Sequence, residues 1–106
     1  MVKIIKHDGE NYKLEFDLDS LCYMEDIGFD GQKMEDIPFS MFAKLVNGAF
    51  HKNHPGMTIS DTNRVYMEGV AKKDKKSFSQ DLMKMYMDVA NDVMGEDEGN
   101  ADGTTT

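Results

Sequence analysis

The sequence predicts a mainly α domain: an N-terminal β-hairpin, about four helices and a disordered acidic C-terminal tail. Three observations carry this. Two strand-like runs flank Asp8-Gly9, later segments repeat apolar residues at helical spacing between helix start and stop signals, and from Gly95 onward nothing apolar larger than Ala101 occurs. At 106 residues the chain is long enough for one domain with one modest core. That domain is expected over residues 1–95 and the tail over 96–106.

The hairpin joins Val2–His7 to Glu10–Phe16. Asp-Gly between alternating runs favours a two-residue turn in which both residues take positive φ. That register sets Ile5 opposite Tyr12 and Lys3 opposite Leu14. Ile5, Tyr12, Leu14 and Phe16 then share the inner face, and Val2, Ile4, Lys6, Asn11, Lys13 and Glu15 the outer. A lone hairpin is barely stable in water, so the inner face must lie on helices or gain another strand.

A short first helix is expected from about Leu18 to Ile27, capped by Asp17 or Asp19 and stopped by Gly28. Leu18, Leu21 and Cys22 are at inward spacing, with Met24 beside them. Phe29–Asp36 reads as a connector. The second helix starts near Pro38, where a missing N–H costs nothing, and runs to about Lys52, before His54-Pro55-Gly56. Phe39, Met41, Phe42, Ala43, Leu45, Val46, Ala49 and Phe50 cover an arc of about 200°, roughly twice what a surface helix needs. This helix is therefore placed at the centre, with Phe42, Val46 and Phe50 against Tyr12, Leu14 and Phe16.

Thr58 with Asp61 forms a capping box that starts a third helix, through about Val70, whose stripe of Ile59, Tyr66 and Val70, with Met67 beside it, is thin. Lys72-Lys73-Asp74-Lys75-Lys76 reads as a solvated connector. Ser77 with Gln80 is a second capping box, opening a last helix that ends at Gly95. On that helix Phe78, Leu82, Met85, Tyr86, Val89 and Val93 form a stripe about 100° wide, enough to dock it. Met83, Met87, Ala90 and Met94 form a second stripe beside it. Surplus apolar surface marks a contact site unless the third helix or the hairpin covers it, and Met83, Met87, Ala90 and Met94 are the expected partner-binding residues.

Charge and composition narrow the function. A net charge of −8 argues against a nucleic-acid surface. No run approaches the roughly 20 apolar residues of a membrane helix, and no basic segment leads into an apolar one in residues 1–20, so neither membrane insertion nor a signal peptide is expected. The single cysteine, Cys22, permits no internal disulfide and reads as a small buried hydrophobe. His51 and His54 have a spacing that two metal ligands can share, but no third ligand lies nearby. No nucleophile with a base beside it and no phosphate-binding glycine loop occurs. No catalytic residue, cofactor site or metal site is expected. Ten methionines are the unusual feature, because flexible, polarizable Met is overused on adaptable binding surfaces as well as in irregular cores.

In its order of elements the chain resembles the tail assembly chaperones of long-tailed bacteriophages. The resemblance rests on Tyr12–Glu25, where a short strand feeds Phe-Asp-Leu-Asp-Ser-Leu-Cys-Tyr-Met-Glu, and on Ala49–Thr58, Ala-Phe-His-Lys-Asn-His-Pro-Gly-Met-Thr. It spans about residues 1–94; the Phe29–Ile37 connector and the methionine count depart from it. It implies a non-enzymatic protein of the host cytoplasm, absent from the mature virion, that keeps the tape measure protein soluble while tail tube protein polymerises around it. It also implies several copies acting together and often a longer frameshifted form. The alternative from another class is a small helical adaptor or regulator that works by protein–protein binding.

Overall fold

The computed structural model describes residues 1–96. Two antiparallel strands, β1 (Lys3–His7) and β2 (Glu10–Leu14), are followed by α1 (Leu18–Asp26), α2 (Pro38–His51), α3 (Ile59–Gly69) and α4 (Lys75–Met94). Single 3-10 turns occupy Gly31–Lys33 and Lys72–Asp74. The expected disordered tail lies, from residue 97 on, outside the described residues.

Asp8 and Gly9 have φ of +51° and +79°, the pair of positive angles the two-residue turn requires. The register is the expected one, with Ile5 opposite Tyr12 and Lys3 opposite Leu14. Ile5, Leu14 and Phe16 are buried and Tyr12 half-buried, while Val2, Ile4, Lys6, Asn11 and Lys13 are exposed. Alternate amides of such a hairpin point away from the partner strand. At Lys13 the loop after α2 meets them: the Lys13 N–H donates to His54 Nε2 at 3.2 Å, and Asn53 Nδ2 donates to the Lys13 carbonyl at 3.2 Å. The Glu15 N–H donates to the Ala49 carbonyl at 3.0 Å, tying the end of the hairpin to α2.

Asp17 caps α1: its carboxylate accepts from the Ser20 N–H at 2.8 Å, and its own N–H donates to Ser20 Oγ at 3.2 Å. Gly28, at φ +95°, ends the helix. The Phe29 N–H donates to the Met24 carbonyl and the Gly28 N–H to Glu25, and buried Phe29 packs in the same core cluster as Met24. Phe29 is thus core, not merely connector. The inward face of α1 differs from expectation in part: Met24 is buried and Leu21 half-buried against the core, as their spacing predicts, but Ser20 is buried as well and Leu18 and Cys22 are exposed. Close approach to α2 decides this. Gly48 has no side chain, and Met24 fills the space where a Cβ would lie 2.3 Å from its Sδ. Leu18 and Cys22 sit roughly 120–160° round the helix from Met24 and so face out.

Central helix α2 packs against the hairpin, α1, α3 and α4. Met41, Leu45, Val46, Ala49 and Phe50 are buried, and Phe42 and Ala43 half-buried. Phe50 packs on Tyr12 with ring centroids 5.7 Å apart. Two expectations are corrected. Phe42 turns to Tyr66 of α3, at 5.3 Å, instead of to the hairpin. Phe39 is 89% exposed, because it lies in the first turn, at the end of the helix. Phe16 reaches across to Tyr86 of α4, at 6.1 Å.

A reciprocal box starts α3: Thr58 Oγ1 accepts from the Asp61 N–H at 3.0 Å, and the Thr58 N–H donates to Asp61 Oδ2 at 3.1 Å. Its thin apolar stripe is completed by Val65 and by buried Thr62, while Ile59 is half-buried and Met67 exposed. The start of α4 is a further correction. The helix begins at Lys75 because the preceding 3-10 turn runs straight into it, and Ser77 Oγ donates to the Asp74 carbonyl instead of capping. The lysine-rich segment is more than a connector. Lys75 Nζ donates to the carbonyls of Met67 and Val70, closing the C-terminus of α3. Gly95, at φ +77°, ends α4.

Candidate interaction surface

The end of α4 outruns the core. Phe78, Leu82 and Met85 are buried and Tyr86 and Val89 half-buried against the core, but no residue after Val89 is buried. The helix nevertheless continues to Met94, about 7 Å further at 1.5 Å per residue. Over that stretch Ala90 and Asn91 are half-buried and Asp92, Val93 and Met94 exposed, so that the end of the expected docking stripe joins the second stripe at the surface.

The four expected contact residues divide accordingly. Met83 is half-buried and packs against the core cluster, so it belongs to the fold. Ala90 is half-buried. Met87 and Met94 are 46% and 73% exposed, and Val93, expected on the docking stripe, is 43% exposed and joins them. The exposed surface is therefore Met87, Val93 and Met94 with Ala90 between. Acidic side chains share the helix: Asp88 pairs with Lys84 at 3.3 Å, and Asp92 is exposed. The signal that separates Met83 from Met87 is angle: at 100° per residue Met87 points about 40° further than Met83 from the stripe of Phe78, Leu82, Met85 and Val89 that packs on the core.

Other chemistry-bearing side chains have structural work. The His51 ring stacks on Tyr23 with centroids 3.9 Å apart, and His54 serves the edge of β2. His7 Nε2 lies 2.8 Å from Glu68 Oε1, linking the hairpin turn to α3. Tyr23 donates its hydroxyl hydrogen to Asn47 Oδ1, and Asn47 Nδ2 donates to the Met57 carbonyl and Thr62 Oγ1 at 3.1 and 3.2 Å. Asn47, buried on α2, had no apolar signal to announce it. Cys22 is exposed on α1. Among the described residues no group of three or more His, Cys, Asp or Glu side chains is placed to hold a metal ion, and no helix is long and apolar enough to cross a membrane.

Electrostatic perturbation follows the caps and pairs. The Ser20 N–H holds the Asp17 carboxyl below its ordinary range, and the Thr58 N–H does the same for Asp61. Lys52, 2.8 Å from Glu15, lowers the Glu15 carboxyl. Burial raises the Tyr66 and Tyr86 phenols. None of these groups lies among Met87, Ala90, Val93 and Met94, whose surface offers apolar contact and no proton chemistry.

Residues 1–106 match the family model described as a domain of unknown function, DUF5055. No curated protein and no solved structure matches the chain.

Proposed function

Because the chain belongs to the DUF5055 family, a domain of unknown function, we propose its role from its own surface: a non-enzymatic protein that holds an apolar client, in the manner of a phage tail assembly chaperone. The client would be the tape measure protein, kept soluble in the host cytoplasm while tail tube protein assembles. One observation carries the reading, the exposed Met87, Val93 and Met94 along the C-terminal half of α4. Unbranched, polarizable Met adapts to many apolar partners, which suits a client with a repeating helical surface. The acidic exterior supports it by keeping the loaded chaperone soluble.

Co-production tests the proposal. A long helical protein encoded beside this gene should stay in the supernatant when made with the wild-type chain and precipitate when made with Met87→Gln/Met94→Gln. Equal solubility with both would remove the α4 surface from the role. A wild-type chain that leaves the client insoluble would overturn the chaperone reading, and stable dimerisation with capture of a host regulator would favour the adaptor.

A further inference from the structure

A second apolar surface lies away from the end of α4, where the N-termini of α2 and α4 approach α3. Met34, Phe39, Phe42 and Tyr66 line an open groove of about 370 Å³, and Lys75 and Lys76 close one side. Phe39 is almost wholly solvent-exposed at its rim. Large exposed aromatics beside a concavity are frequent anchors of protein contacts.

The charge beside the groove opposes that of the chain. The protein carries −8 in total, yet Lys72, Lys73, Lys75 and Lys76 crowd the start of α4, against the single carboxylate of Asp74, which lies 3.9 Å from Lys73. Lys75 Nζ is held by the carbonyls of Met67 and Val70 and lies 5.8 Å from the centre of the Tyr66 ring. Lys76 is exposed and makes no ion pair among the described residues. The first turn of α2, which supplies Phe39, has no side-chain cap, so its free N–H groups add partial positive charge. Glu35 and Asp36 precede that turn but do not line the groove.

We infer that this groove docks a partner segment with a large apolar anchor flanked by Asp or Glu, an acidic amphipathic helix. The groove supplies apolar walls for the anchor and the lysines receive the carboxylates. The net negative charge of the chain disfavours such a segment elsewhere and steers it to this basic margin. The site is separate from the α4 end, and it stands whether or not the client proposed above is correct.

The probe is a labelled helix-forming peptide of about 18 residues with Leu at i, i+3, i+4 and i+7 and Glu at the flanking positions. Its counterpart carries Lys in place of Glu, and binding is read by fluorescence anisotropy. The Glu peptide should bind at least about tenfold more tightly than the Lys peptide, with an affinity that falls as salt rises. Phe39→Ala and Lys76→Glu should each weaken it about tenfold without changing the melting temperature, because both side chains are exposed. Met87→Gln/Met94→Gln should bind it as the wild type does. Equal binding of the two peptides, or Glu-peptide binding indifferent to both groove variants, would overturn the inference. So would sedimentation showing that Phe39→Ala abolishes self-association in a protein that ignores the peptide, which would assign the groove to a second copy.

Discussion

Gly69 at the end of α3 lies against Ile5 of β1 with no room for a side chain: a Cβ there would sit 2.4 Å from Ile5 Cγ2 and 3.4 Å from the Lys6 carbonyl. Ile is stiff at χ1 and Ile5 is buried, so its methyl cannot swing clear. Gly69→Ala should therefore destabilise by about 1–3 kcal/mol, although Ala in an ordinary helical position would gain up to about 1 kcal/mol over Gly. In an Ile5→Ala background the same substitution should cost markedly less. Urea denaturation of the four proteins measures both, and additive costs would mean that another contact fixes Gly69.

Asn47 joins three segments through one buried amide, and no buried side-chain nitrogen or oxygen among the described residues lacks a partner. Asn47→Ala removes the partner of the Tyr23 hydroxyl and of the Met57 carbonyl. Each buried group left unpaired costs about 1–3 kcal/mol. The loss should be smaller in a Tyr23→Phe background, because one orphan is then removed with its partner. A loss below about 0.5 kcal/mol in the wild-type background would mean that water replaces the amide.

The register of the hairpin was legible to the residue because turn chemistry and period-2 alternation specify the same pairing, although the strands are shorter than expected, starting at Lys3 and ending at Leu14. The Thr58–Asp61 box was legible for a similar reason, two complementary side chains at fixed spacing. Phe39 and Val93 were misplaced by a different cause. A helical wheel keeps the angle of a side chain and discards its position along the axis, and both residues lie at helix ends beyond their neighbours. The face of α1 was misread because Gly48, on another helix, decides which side chain can approach. Asn47 carries no periodic signal at all. The proposed binding surface was half legible, since Met87 and Met94 point well away from the docking stripe while Met83, about 40° nearer to it than Met87, is partly covered.

Acid should weaken the fold through its helix caps. The Asp17 carboxyl is held low first by the Ser20 N–H, then by the Ser20 hydroxyl. A depressed folded-state value means that the ionised group stabilises the fold; the contribution is complete above the unfolded value of about 4 and disappears as pH falls through the lower folded value. Melting temperature should thus decline as pH drops below about 4. Asp17→Asn, which keeps an accepting oxygen at the cap without the titration, should flatten part of that decline. Asp17→Ala should instead lose about 1 kcal/mol at neutral pH. An acid profile identical in wild type and Asp17→Asn would place the sensitivity elsewhere.

The division of the α4 methionines gives the most direct separation of folding from binding. Met83 packs on the core cluster, whereas Met87 points away from it and Met94 lies past its end. Met83→Gln buries a polar amide against apolar neighbours and should cost more than about 1 kcal/mol. Met87→Gln/Met94→Gln places two amides in solvent and should stay within about 0.5 kcal/mol of the wild type. If the end of α4 is the contact surface, the double variant should lose client solubilisation at unchanged melting temperature, while Met83→Gln should lose stability yet still hold the client at low temperature. The opposite pattern would move the contact surface inward along the helix. A double variant that melts early would show that the last turns of α4 are covered by something that stabilises the fold.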